Sequence, residues 1–131
     1  MKTSPFQFLI IACFLSISFS CGDDNTKLSQ DGERTQLNDL KTEIEKLAST
    51  SVCDDNNTCK YLGLGSKPCG GPWEYLIYST SIDTEKLEQL VKNYNQKEKA
   101  FNIKWGAISD CAVANPPSSI KCENNICIAV Y

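Results

Sequence analysis

The sequence contains no histidine. Nucleophile systems that depend on an imidazole are therefore excluded, and so are His-ligated metal sites and His-based pH switches. Basic residues are also few, since 13 Lys and Arg stand against 16 Asp and Glu. Without Lys2, which lies in the export signal predicted below, the balance is 12 against 16, a net charge of −4. A net negative chain argues against binding to nucleic acid, which requires a basic surface.

An apolar run near the N-terminus spans only residues 8–15. A helix that crosses a bilayer needs about 20 apolar residues, so a transmembrane anchor is the less favoured interpretation. The positive charge of Lys2 before the run, and the small residues after it up to Ser20, instead predict an export signal over residues 1–20.

The residues around Cys21 predict where this signal ends. Ser18-Phe19-Ser20-Cys21 resembles a relaxed bacterial lipobox, in which a small residue precedes the cysteine that becomes acylated. Ser18 and Phe19 depart from the strict pattern, and ordinary signal-peptidase cleavage after Ser20 fits the same residues. The eight cysteines favour lipidation, because one lies in the signal and an exported domain rarely keeps the odd thiol that would otherwise remain.

The residues after Cys21 are acidic and polar. Gly22-Asp23-Asp24 resembles the start of surface-displayed lipoproteins of Bacteroidota. That resemblance implies a lipid anchor at Cys21, with palmitate among its acyl chains, in the outer membrane. Residues 21–32 contain a single aliphatic residue and predict a polar tether, which leaves residues 33–131 for one domain.

Two helices are expected in this domain. Apolar residues recur at spacings of three and four and predict an amphipathic helix over 34–49: Leu37, Leu40, Ile44 and Leu47. Asp83 is a candidate N-cap and Gly106 a candidate left-handed C-cap, which together predict a second helix over 84–104.

Short runs of β-type residues are expected to form strands: 60–64, 74–79, 110–114, 120–123 and 126–131. The Asn124-Asn125 pair tolerates the positive φ angles of a two-residue hairpin, which would place Cys122 opposite Cys127. The order of helices and strands predicts an α+β fold, two helices with a small antiparallel sheet.

Six cysteines lie in the domain: Cys53, Cys59, Cys69, Cys111, Cys122 and Cys127. An oxidising, exported location favours about three disulfides over the rival interpretation, a zinc site. Fifteen connectivities are possible. The hairpin geometry favours Cys122–Cys127, the Asn-rich turn between Cys53 and Cys59 favours a second local bridge, and Cys69–Cys111 follows by elimination.

Cys69-Gly70-Gly71-Pro72, together with the later Ser109-Asp110-Cys111, resembles a group of small, uncharacterised, exported cysteine-rich proteins of bacteria. The resemblance covers residues 53–127. It implies no activity.

Other constellations favour structural roles. The glycines of residues 63–70 match no phosphate-binding loop. Asp54-Asp55-Asn56-Asn57-Thr58 offers calcium-like oxygens but lacks the glycine and the distant bidentate Glu of an EF-hand. Nothing in the spacing demands a catalytic pair of Glu74 and Asp110. No cofactor or metal is expected. Five aromatic residues are candidates for a sugar-stacking platform, with a core role as the alternative: Tyr61, Trp73, Tyr75, Tyr78 and Trp105.

The sequence thus predicts an envelope lipoprotein that is a non-catalytic binding or structural module. An inhibitor of an envelope-directed hydrolase, either a peptidase or a lysozyme-like enzyme, is the alternative. The expected partners are the membrane, through the lipid, and an envelope protein or glycan. The segment 66–73 is the candidate functional edge, with Lys67, Gly70, Gly71 and Trp73 as candidate binding residues and a purely structural turn as the alternative.

Overall fold

The computed structural model describes residues 28–131. Its elements follow in the order α1 (Gln30–Ser49), β1 (Cys59–Leu64), β2 (Glu74–Ser79), α2 (Thr84–Trp105), β3 (Ser119–Glu123) and β4 (Ile126–Val130). The predicted α+β class is confirmed. The predicted signal over residues 1–20, Cys21 and most of the predicted tether lie outside the described residues.

The strands form two separate antiparallel hairpins, β1–β2 and β3–β4, where the sequence predicted one small sheet. The predicted strand over 110–114 is wrong. Residues 107–117 run without helix, turn or bend, but they pair with no other strand of the described chain. Two consecutive prolines, Pro116 and Pro117, have no N–H to offer to a ladder and separate this segment from β3.

Helix α1 begins earlier than predicted. The Ser29 side chain accepts a hydrogen bond from the Gly32 N–H at 3.2 Å and caps the helix. Two acidic residues in the first turn face the positive end of the helix dipole. The end of the predicted tether, from Gln30 to Gly32, is therefore helical, because capping and dipole interactions stabilise a turn that has no apolar face.

Helix α2 agrees with its prediction to within one residue. The Asp83 carboxylate accepts from the Lys86 N–H at 2.9 Å at its start. Gly106 ends it with a φ of 61°, in the left-handed region, and donates its N–H to the Asn102 carbonyl. Neither helix has an apolar stretch long enough to cross a bilayer in the part of the chain that the structure describes.

The hydrophobic core lies where the two helices pack on each other and on the β1–β2 hairpin. Ile44 of α1, Leu87 of α2 and Tyr78 of β2 are almost completely buried in it. Among residues 28–131, the buried apolar side chains other than Pro117 all lie between Leu37 and Phe101. The second hairpin therefore depends on contacts of another kind.

Two of the three disulfides supply those contacts. Cys69–Cys111 is present as predicted, but the two local bridges are wrong, since Cys53 bonds to Cys122 and Cys59 to Cys127. The β3–β4 register does place Cys122 opposite Cys127, with the turn residues Asn124 and Asn125 at φ of 52° and 62°. Both cysteines thus lie on one face of the hairpin, as the hairpin geometry required.

This face is turned toward the residues before and within β1, so each sulfur meets a partner there and not its neighbour. The backbone fixes that approach: the Cys53 N–H donates to the Asn125 carbonyl at 3.0 Å. The Asn125 side chain donates in turn to the Cys53 carbonyl at 3.0 Å. We refer to Cys53–Cys122 and Cys59–Cys127 as the paired bridges.

The paired bridges close loops of similar length, 69 and 68 positions. Either bridge alone still closes this long loop. Removing one bridge therefore opens only the small ring formed by residues 53–59 and 122–127. We expect Cys53→Ala with Cys122→Ala to lower the free energy of unfolding by about 3 kcal/mol, and removal of both bridges to lower it by about 7 kcal/mol.

Urea denaturation measures the loss of stability in each variant. Cys59→Ala with Cys127→Ala is the matched variant, and we expect it to lose as much stability as Cys53→Ala with Cys122→Ala. A variant lacking both bridges that was no less stable than a variant lacking one would contradict the shared-loop argument.

Candidate functional site

The predicted functional edge, residues 66–73, is the loop that joins β1 to β2. Its tip is a tight turn, in which the Lys67 N–H donates to the Gly71 carbonyl and the Gly70 N–H to the Lys67 carbonyl, both at 2.9 Å. Gly70 and Gly71 have φ of 97° and 81°, and no other atom lies within 4 Å of the place a Cβ would take on either. The glycines therefore serve the backbone of the turn, and the tip is open to solvent.

Lys67 acts as a clamp between this loop and the segment 107–117. Its side chain is only 9% exposed, and its ammonium donates to Asp110 at 3.1 Å and to the Ala112 carbonyl at 2.6 Å. The same ammonium lies 5.0 Å from the centre of the Trp73 ring. Its charge is engaged within the protein, which argues against the predicted ligand-binding role of Lys67.

The carboxylates Glu74 and Asp110, considered as a catalytic pair, are each engaged elsewhere. Glu74 accepts from Lys41 at 2.7 Å, and that contact raises the pKa of the lysine. Asp110 accepts from Lys67. Each carboxylate is thus neutralised by its own lysine, a structural arrangement.

Trp73 closes the loop and is 42% exposed. Its ring packs directly over the backbone of Gly65, where a Cβ would lie 2.4 Å from the ring atom Cδ1. Gly65 also has a φ of 89°, so both its conformation and its neighbour exclude a side chain. Of the four predicted binding residues, Trp73 is the one whose side chain is free to meet a ligand.

A polar face of α2 holds this loop in place, and sequence reasoning missed it. Asn95 accepts from the Gly65 N–H at 2.7 Å, Glu98 accepts from the Ser66 N–H at 2.5 Å, and Asn102 donates to the Ser66 carbonyl at 2.7 Å. The spacing of three and four residues places all three on one side of the helix. The spacing is visible in the sequence, but polar residues on a helix usually face solvent, so the spacing alone does not indicate a contact with the loop.

Tyr94 lies next to this polar face and donates its hydroxyl to Glu98 at 3.1 Å. Burial raises the pKa of Tyr94 well above its ordinary value, and the negative charge of Glu98 raises it further. The phenol therefore stays protonated and acts as a donor at any physiological pH.

A cleft of about 460 Å³ opens between α1, α2 and the loop, within the range of small-molecule sites. Its walls combine aromatic rings with amide and charged groups: Gln30, Arg34, Asn38, Trp73, Tyr94, Glu98, Phe101, Asn102 and Trp105.

Three further contacts involve side chains that line this cleft or lie next to it. The Arg34 guanidinium lies 5.3 Å from the centre of the Phe101 ring. The Trp105 indole N–H donates to Glu33 at 2.9 Å, and Lys104 also donates to Glu33. Hydrogen bonds from Lys104, and then from Trp105, hold the pKa of Glu33 below its ordinary value. The charged groups at the helix ends are therefore positioned by partners within the protein.

The five aromatic residues that are candidates for a sugar-stacking platform lie in three different surroundings. Tyr78 is buried in the core, and Tyr61 packs edge to face against Tyr75 at 5.5 Å between ring centres. Trp73 and Trp105 are the two of the five that line the cleft.

Neither candidate metal arrangement is free to bind an ion. The Asp54 carboxylate accepts from the N–H groups of Asn56 and Asn57, both at 2.8 Å, which lowers its pKa and closes a local turn. The sulfurs of Cys53, Cys59 and Cys127 lie within 4.8 Å of one another, but all three belong to disulfides. Since the thiolate is the metal ligand, a disulfide sulfur does not serve.

Comparison with known proteins gave no match to this chain among protein families, curated proteins or solved structures. The resemblance to exported bacterial lipoproteins and to the cysteine-rich group stays a prediction from the motifs.

The contact between Gly65 and Trp73 gives a test of this geometry. Gly65→Ala combines an unfavourable φ with a collision against the indole, whereas Gly71→Ala at φ of 81° meets only the backbone cost. We expect Gly71→Ala to cost about 1 to 2 kcal/mol of folding free energy and Gly65→Ala about 2 kcal/mol more.

Denaturation curves measure the two losses, and tryptophan fluorescence should shift only in Gly65→Ala, because only there must the indole move. Equal losses, or an unchanged emission maximum in both variants, would show that Trp73 does not rest on Gly65.

Proposed function

We propose that the protein is a non-catalytic binding module of the cell envelope, tethered to the outer membrane through acylated Cys21. Its site is the cleft beside Trp73, and its ligand is a glycan. The observation that carries this proposal is the 42% exposure of Trp73 at a cleft whose walls also combine aromatic, amide, charged and aliphatic side chains. A large indole left in water at the mouth of a cleft is typical of a binding surface.

The chemistry of the walls supports a carbohydrate. A sugar ring has one apolar face that stacks on an indole and a rim of hydroxyls that donate and accept hydrogen bonds. Asn38 and Gln30 supply amide groups of both kinds to the cleft. Glu98 and Arg34, which also line the cleft, carry opposite charges, so the cleft as a whole suits a neutral polar ligand better than an ion.

The non-catalytic part of the proposal follows from how the reactive groups are used. Glu98 holds a backbone N–H and the Tyr94 hydroxyl, so it is committed to the loop. Tyr94 keeps its proton because its pKa is raised. With no histidine in the sequence, the groups that line the cleft bind and orient but do not shuttle protons at neutral pH.

The anchor has its own test. We expect the mature protein to partition into the detergent phase and to have an intact mass that exceeds the chain from Cys21 by at least two acyl chains, since stable anchoring requires two or more. Cys21→Ser should be recovered from the soluble fraction with an unmodified mass. Recovery of the wild type from culture medium with a free Cys21 thiol would contradict lipidation.

The glycan site is tested by a matched pair of aromatic variants. Trp73 and Tyr61 are equally exposed, at 42%, but only Trp73 lines the cleft. On an array of bacterial envelope glycans, Trp73→Ala should weaken binding by roughly 30-fold, a loss of about 2 kcal/mol, and Tyr61→Ala should leave it unchanged. Equal binding by the wild type and Trp73→Ala, with both folded by thermal melting, would contradict the site.

A second function, inhibition of an envelope-directed hydrolase, is favoured by a different observation. The Gly70–Gly71 tip is open to solvent, and the loop behind it is fixed by the Cys69–Cys111 bridge and by Lys67. A rigid exposed loop loses little entropy when it enters an active site.

A further inference from the structure

The segment from Ile108 to Pro116 has an unusual combination of extended course and unused backbone. It follows α2 and precedes β3 without helix, turn or bend. Within residues 28–131, no backbone N–H from Ile108 to Asn115 donates to another protein group. An extended backbone with free N–H and C=O groups is ready to pair with a strand of another molecule.

This segment is held on both sides of Val113. Upstream, Cys111 is bonded to Cys69, and Lys67 donates to the Ala112 carbonyl at 2.6 Å. Downstream, the Ser118 N–H and hydroxyl both donate to the Val130 carbonyl, at 2.8 and 2.9 Å.

The prolines add to this downstream anchor. Pro117 is buried, and Pro116 and Pro117 fix their own φ angles. Residues 113–116 therefore form a short exposed stretch between two firm anchors, and ordering this stretch on a partner costs little entropy.

Within the stretch, Val113 has both an exposed side chain and an unoccupied carbonyl. Its side chain is 80% exposed, whereas the next residue, Ala114, is half-buried. The Ala112 carbonyl is occupied by Lys67, but no group of the described chain donates to the Val113 carbonyl. Ile108 is also highly exposed, but it lines the cleft between the helices.

We propose that residues 112–116 are a substrate-like inhibitory loop that occupies the active-site cleft of a serine endopeptidase, with Val113 in the S1 pocket. This rests on the second function above and places the contact at Val113 and not at the Gly70–Gly71 tip. Such enzymes need a free carbonyl to reach the oxyanion hole and a side chain to fill S1, and Val113 offers both. A small S1 pocket of the elastase type fits its branched aliphatic side chain, whereas the acidic pocket of the trypsin type does not.

The test exchanges the S1 residue. The full chain with oxidised disulfides is titrated against an elastase-type and a trypsin-type serine endopeptidase, each followed with a chromogenic peptide. The wild type should inhibit the elastase-type enzyme only. Val113→Lys should weaken that inhibition on the order of 100-fold and create inhibition of the trypsin-type enzyme, because its pocket pairs with a cation.

Val52→Lys is the matched control, since it makes the same Val→Lys change at a residue of 50% exposure that lies outside both the anchored stretch and the cleft. It should leave both titrations as in the wild type. Inhibition of the elastase-type enzyme that survives Val113→Lys, or rapid hydrolysis of the wild type after residue 113, would overturn the proposal.

Two further outcomes distinguish a failure of the Val113 assignment from a failure of the inhibitor function. A wild type that inhibits lysozyme, or one whose peptidase inhibition is abolished by Gly70→Asp but not by Val113→Lys, remains an inhibitor and overturns only the assignment to Val113. A wild type that inhibits none of these hydrolases overturns both.

Discussion

The covalent attachment of the last 26 residues is the constraint on which the structure depends. Each of the three disulfides joins a cysteine beyond α2 to one that lies before it: Cys53 to Cys122, Cys59 to Cys127 and Cys69 to Cys111. Beyond Phe101, Pro117 is the one residue of the described chain that is buried. The β3–β4 hairpin thus adds almost nothing to the hydrophobic core, and an isolated two-stranded hairpin is marginally stable in water. The disulfides stabilise this hairpin, whereas burial of apolar side chains stabilises the helices and the first hairpin.

Much of the fold could be predicted because local rules decided it. The apolar spacing of α1, the Asp83 cap and the Gly106 terminus of α2, and the Asn124-Asn125 turn all act within a few residues. The pairing of cysteines could not be predicted in the same way, because it depends on how one hairpin is oriented against another. The register at Cys122 and Cys127 was derived correctly and still led to the wrong bridge.

The candidate site was predictable in outline only. The segment 66–73 could be singled out because prolines and glycines around a cysteine require an irregular, fixed backbone. The separate roles of its side chains could not be predicted, since Lys67 and Trp73 are both amphipathic and the side chain of either could have faced solvent. The structure assigns the lysine to the clamp on Ala112 and leaves the indole exposed. The polar face of α2 and the unpaired segment after it depend on distant contacts that no local pattern reports.

The connectivity has a consequence for the order in which the chain matures. In a chain that is exported from its N-terminus, as we propose, the cysteines at 53, 59 and 69 meet oxidants while all three of their partners are still missing. During that interval the nearest pairs available are non-native, above all Cys53 with Cys59. Early formation of local disulfides therefore competes with later formation of the native disulfides. Thiol–disulfide exchange, on a scale of seconds to hours, determines which disulfides remain. The helices and the first hairpin, which share the core without the C-terminal part, can assemble in the meantime and present Cys53, Cys59 and Cys69 to the partners that arrive last.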